Sequence, residues 1–118
     1  MKTITVRNVA RDHTLGSRVE LADGPWSRLK GLLGRRGLES GEGMLLTRCK
    51  GVHMWGMKFS IDVAFLDVRG MVVAVYPNLS PGKRTPMHRT ACFALELPEG
   101  TLAATGTETG DVLDWEAK

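Results

Sequence analysis

Residues 61–76, "IDVAFLDVRGMVVAVY", decide the fold class. Two apolar runs rich in β-branched residues flank "VRG", and such runs around a tight turn read as an antiparallel hairpin. Outward from it, "ACFALELP" is a further strand ended by Pro98, and "GDVLDWE" is one opened by the turn pair Gly110-Asp111. "GEGMLL" is strand-like as well. At the amino end "KTITVRN" alternates, with Ile4 and Val6 on one face and Thr3, Thr5 and Arg7 on the other. "SRVELAD" repeats that pattern with Val19 and Leu21. Helical spacing appears in "DGPWSRLKGLLG", where Pro25 suits a first helical position and Trp26, Leu29 and Leu33 share a face that Gly34 ends. "EGTLAATG" adds one helical turn. The expectation is a mainly β fold, a single-domain β-sandwich or barrel of about seven or eight short strands with one short packed α-helix. Strands and helices do not alternate regularly, which argues against a parallel α/β sheet.

A chain of 118 residues fits one domain spanning 1–118, since typical domains hold about 100–150 residues. Hydrophobic residues at 42% and charged residues at 25% are globular proportions and argue against disorder of the chain as a whole. The net charge of +3 is uneven. Residues 1–58 carry 11 Lys/Arg against 5 Asp/Glu, and residues 59–118 carry 5 against 8. No apolar run reaches the roughly 20 residues of a membrane helix. "MKTITVRNVARDH" lacks the apolar core of a signal peptide, so the expected location is the cytoplasm. There Cys49 and Cys92 should stay reduced, and two cysteines make neither a disulfide framework nor a four-thiolate zinc site.

From about Trp26 to Leu113 the order of blocks resembles the family called domain of unknown function 192. The blocks are "RLKGLLGRRGLESGEGMLL", "CKGVHMWGMKFSIDVAFLD", "GMVVAV", "LSP", "ALELPEGT" and "TGDVL". The resemblance implies a small, mostly β domain of sandwich type without an assigned activity. It also singles out Cys49, His53, Met57, Ile61 and Asp62 as the positions of the family's motif. Met54 and Ser60 depart from that motif, where Thr and Pro are usual.

The chemistry gathers in residues 49–62, "CKGVHMWGMKFSID". If extended, the segment projects Cys49, His53, Trp55 and Met57 to one face. Ends of an i to i+4 pair then lie about 13 Å apart, too far for one ion. Gly51 and Gly56 are where the chain could fold back. Given a bend, Cys49, His53 and Met57 make a soft ligand set of the kind copper prefers, with zinc a second choice and Asp62 placed to orient the imidazole. Cys49, His53 and Asp62 also supply the residue types of a thiol- or metal-dependent enzyme. Packing is the plainer account of the same side chains, because Met fills gaps and Cys is often buried. The favoured reading is a non-catalytic module that binds a small polar ligand. Its cleft is formed by residues 49–62 and the 77–90 loop, with Cys49, His53, Trp55, Met57, Lys58, Asp62 and Glu96 as ligand-binding candidates. Alternation by itself would place Glu96, between Leu95 and Leu97, in solvent. The loop "PNLSPGKRTPMHRT" holds three of the five prolines, and irregular loops of that length are commonly functional. It lacks a local aromatic platform, which argues against nucleic acid as the partner. His13 and His88 read as ordinary surface residues.

Overall fold

The computed structural model describes residues 2–24 and 31–117. Seven strands form one sheet: β1 (Thr3–Asn8), β2 (His13–Ala22), β3 (Glu42–Thr47), β4 (Ile61–Leu66), β5 (Val72–Leu79), β6 (Phe93–Pro98) and β7 (Leu113–Ala117). Their order is β5-β4-β6-β3-β2-β1-β7. Neighbours run antiparallel except β2 and β3, which are parallel and joined through residues 23–41. The helix expected at residues 25–34 falls mainly outside the described residues. Within its described part Leu32 is buried and Leu33 exposed, the reverse of the expectation for Leu33. The described helix is α1 (Thr101–Thr105), the turn read from "EGTLAATG".

The sheet curls until its two ends touch. Met71 and Val112 form a bridge, flanked by Val72 N donating to Asp111 O at 2.8 Å and Leu113 N to Gly70 O at 2.9 Å. Gly70 sits at φ 86, and a Cβ there would stand 2.5 Å from Leu113 O, so only glycine lets the edges meet. A polar cluster secures the same seam. The Asp111 carboxylate accepts from Asn8 Nδ2 at 3.0 Å and from Arg11 Nε at 2.7 Å, and these partners hold it down to about 2.

Alternation divides the buried side chains between the two faces of the sheet. Val6, Val19, Leu45, Ala64, Leu66, Leu95 and Leu97 fill the concave interior, and Leu102 of α1 joins them. On the outer face Met44, Leu46, Ile61, Val63, Phe65 and Ala94 are equally buried, because Leu32, Met54 and Ala91 pack over them. All six residues of β4 are therefore buried. Burial on both faces explains why "IDVAFL" reads as an apolar run rather than an alternating strand.

Asp62 is the polar exception in that strand, fully buried and turned toward α1. Opposite it β5 carries a bulge: Ile61 pairs with Leu79 but Val63 with Tyr76, and Asn78 adopts φ 55. The carboxylate accepts the Asn78 N–H at 3.0 Å and the Leu102 N–H of α1 at 2.8 Å. It thus satisfies a donor stranded by the bulge and one stranded at the helix start. The helix ends in a Schellman pattern, Thr107 N to Leu102 O at 3.0 Å and Gly106 N to Ala103 O at 3.2 Å. Replacing Asp62 by Ala buries both N–H groups without an acceptor, and the expected loss is about 3 kcal/mol of unfolding free energy. Urea unfolding of D62A beside the parent protein measures it; a loss below about 1 kcal/mol would contradict this role.

Candidate functional site

Two irregular segments leave the sheet side by side and cross its outer face. Residues 48–60 run into β4 at Ile61, and residues 80–92 lead from β5 to β6. They are zipped by backbone hydrogen bonds: Met54 N to Lys83 O at 2.7 Å, Gly82 N to Met54 O at 3.0 Å, Thr85 N to Val52 O at 2.9 Å and His88 N to Lys50 O at 2.8 Å. His53 and Arg84 face each other in this ribbon as an antiparallel bridge. Buried Thr85 reinforces it, since its Oγ1 accepts from Val52 N at 3.0 Å.

Beyond the ribbon the first segment folds back at residues 54–57, with Met57 N donating to Met54 O at 3.1 Å. Gly56 supplies φ 80 at the third position, the signature of a type II turn. The fold-back expected at Gly56 is present. Gly51 plays another part: its φ is not positive, and a Cβ there would lie 2.6 Å from Met87 Sδ. Glycine at 51 admits the methionine of the facing segment.

An open groove of about 630 Å³ lies along the ribbon, lined by Gly51, Val52, His53, Arg84, Thr85, Pro86 and Met87. A smaller cavity of about 120 Å³ lies deeper. Its lining includes Leu32, Leu46, Cys49, His53, Met54, Met57 and Glu96. Gly51, Val52 and His53 line both spaces, so the groove and the cavity meet there. Cys49, His53 and Met57, which a straight strand would keep apart, thus border one cavity. The Cys49 thiol donates to Gly51 O at 3.2 Å, and Cys49 and Cys92 form no disulfide. Among the described residues no three of His, Cys, Asp and Glu gather closely enough to hold a metal ion.

Asp62 is not brought to this group. It points to the opposite face of β4 and is occupied by the Asn78 and Leu102 N–H groups, so it neither orients His53 nor completes a thiol triad. Lys58 and Trp55 are exposed on the turn and its exit, outside both cavity linings. Glu96 departs from expectation in the other direction. Its side chain does oppose Leu95 and Leu97, but the outer face is roofed, and the residue is only 6% exposed. No hydrogen-bond donor among the described residues reaches its carboxyl, and desolvation pushes it up to about 7.

His88 also differs from the surface residue expected. Its Nε2 lies 2.6 Å from the Tyr76 hydroxyl, and its ring packs 5.0 Å from that of Phe65. This contact pins the second segment to the outer face of β4 and β5. Its signal in sequence was faint, an aromatic on each strand and a histidine in the loop that follows them.

The class these features define is a small curled-sheet domain with one outer face roofed by two loop segments around a cavity. The model of the family domain of unknown function 192 (DUF192), described as an uncharacterized ACR, matches residues 6–115, and the chain belongs to that family. Two solved structures share the fold. One is a protein of unknown function from Novosphingobium aromaticivorans DSM 12444, at TM-score 0.82 and 26% identity over 96% of this chain and 84% of that one. The other, from Sinorhizobium meliloti 1021, is described as a candidate transcription regulator, at TM-score 0.77 and 27% identity over 97% of this chain and 92% of that one. No curated protein sequence matches the chain. No described helix is long and apolar enough to cross a membrane.

The carboxyl of Glu96 makes stability fall as pH rises. Between an unfolded value of 4.5 and a folded value of about 7, the folded chain keeps a proton that the unfolded chain has released. Unfolding free energy is expected to drop by about 1.4 kcal/mol per pH unit across that window and to level off above it. Urea titrations at a series of pH values check this, with Glu96→Gln removing that component of the slope.

Proposed function

We propose that this chain is a non-catalytic binding module that takes a small polar ligand between residues 49–62 and the 77–90 loop. The observation that carries the reading is the groove along the zipped segments. It is built on a fixed backbone ribbon, and it presents the exposed His53 and Arg84 as polar groups beside the apolar Val52, Pro86 and Met87. A concave, mostly apolar space with a few converging polar groups is the usual form of a small-molecule site. Arg84 and His53 favour a ligand end that accepts hydrogen bonds, a carboxylate or phosphate above all. Amide spectra recorded against a panel of small carboxylates and phosphates test this. Shifts are expected at residues 51–53, 84, 85 and 87, and Arg84→Ala should weaken binding by about tenfold with an unchanged unfolding midpoint. Shifts scattered over β1, β2 and β7 instead would refute the cleft.

One observation favours a second reading, an anionic polymer across the same face. Residues 48–60 and 80–91 carry Arg48, Lys50, Lys58, Lys83, Arg84 and Arg89, all exposed, and contain no Asp or Glu. Trp55, 77% exposed, directly follows Met54, whose backbone pairs with Lys83 of the basic loop. The fold thus brings an aromatic platform to the basic loop, which the linear sequence lacks. The description of the Sinorhizobium meliloti structure points toward nucleic acid as such a polymer. Binding to a single-stranded oligonucleotide should then weaken steeply with salt, with a log–log slope of about −3 or steeper. Trp55→Ala should lower affinity at every salt concentration. A flat salt response would remove this reading.

A further inference from the structure

Glu96 occupies a position that asks for a ligand. Its backbone lies in the middle of the sheet, paired with Met44 of β3 on one side and Val63 of β4 on the other, so the residue cannot swing out to water. The residue is only 6% exposed, and it borders the 120 Å³ cavity. Leu32, Leu46, Met54 and Met57 form apolar walls around it. A buried carboxyl without a donor is costly, and natural interiors seldom leave one in that state.

Resting on the cleft reading above, we propose that the cavity is an ammonium pocket, and that the ligand is a small zwitterion. Its amine reaches Glu96 while its acid end meets Arg84 and His53 in the groove. The arrangement of the two spaces gives the geometry. His53 lines both, so one molecule entering along the ribbon passes it and ends against Glu96. A cavity of 120 Å³ takes a group of a few heavy atoms, since a water occupies about 30 Å³. A primary ammonium fits that space and forms charge-assisted hydrogen bonds to a carboxylate. A hard metal cation would need about six oxygen ligands, and the walls are chiefly carbon and sulfur.

Charge selects against a simple amine. The two segments that border the cavity carry six exposed Lys and Arg side chains and no carboxylate, and Arg84 among them lines the groove. A lone cation is repelled from that face, whereas a molecule carrying its own acid is drawn in, acid end held at the groove. Burial raises the Glu96 carboxyl, and an ammonium beside it would offset that by favouring the ionised form. Among the described residues, the other titratable groups lining the cavity are Cys49 and His53.

A ruler of ω-amino acids tests the proposal: glycine, β-alanine, 4-aminobutyrate, 5-aminovalerate and 6-aminohexanoate. Butyrate and n-butylamine serve as one-ended controls. Binding is followed by calorimetry and by the carbon-13 signal of the Glu96 carboxyl. One chain length is expected to bind at least tenfold more tightly than either control and to lower the titration midpoint of Glu96. Glu96→Gln, a neutral isostere, should cancel the gain from the amine while leaving butyrate binding intact. Equal affinity for butyrate and every amino acid, in both the parent protein and E96Q, would overturn the ammonium pocket and leave the anion-accepting groove standing. Binding of no carboxylate at all would overturn the groove and the pocket together.

Discussion

Two backbone N–H groups, of Asn78 and Leu102, converge on the buried carboxylate of Asp62, and the site's position follows from that convergence. Asp62 stands one residue inside β4, where Ile61 pairs with Leu79. Those two residues are the points at which one roofing segment enters the sheet and the other leaves it. Stabilising the β5 bulge therefore fixes the angle between the segments, and tying α1 to the same carboxylate closes the concave interior beneath them. The residue the motif suggested as a cleft group instead holds the roots of both segments from the far side of the strand. Its action on the cleft is mechanical, through the backbone.

The second governing feature is that β4 and β6 have no wet face. In a sheet with one solvated side, Glu96 would cost little. Here the outer face is roofed by Leu32, Met54 and Ala91, so a glutamate at that register becomes a group set into an apolar chamber. The roof is itself held by hydrogen bonds between loops, by the Tyr76–His88 contact and by the approach of Met87 to Gly51, and not by regular secondary structure. Loops secured in this way can carry polar groups to fixed places while differing freely at their exposed tips.

Much of the architecture was legible in the linear sequence. The alternation of "KTITVRN", the hairpin around "VRG", the stop at Pro98 and the short helix in "EGTLAATG" all correspond to elements in place. Local pattern could not show which strands become neighbours, so the parallel pairing of β2 with β3 and the meeting of β5 with β7 had no signal within any one segment. The site was half readable. Gathering Cys49, His53 and Met57 around one hollow needed a turn, and Gly56 announced it. Asp62 and Glu96 went the other way for one shared reason. Alternation tells which residues lie on the same side of a strand, but not what covers that side. Asp62 fell inside, against a helix, and Glu96 fell under a roof to which Leu32 and Met54, far from it in sequence, contribute.

The pairing of β1 with β7 has a consequence for how the molecule comes into being. β1 lies between β2, its neighbour in sequence, and β7, more than a hundred residues on, so until β7 joins one flank of β1 displays a row of unclaimed peptide groups. Such a flank is an invitation to neighbouring nascent chains. Loop-closure entropy also makes a join between distant ends slow. Across that seam Arg7 pairs with Asp114, and the buried Asn8–Asp111 hydrogen bond ties β1 to the turn that precedes β7. The sheet has this open flank for as long as residues 113–117 are undocked.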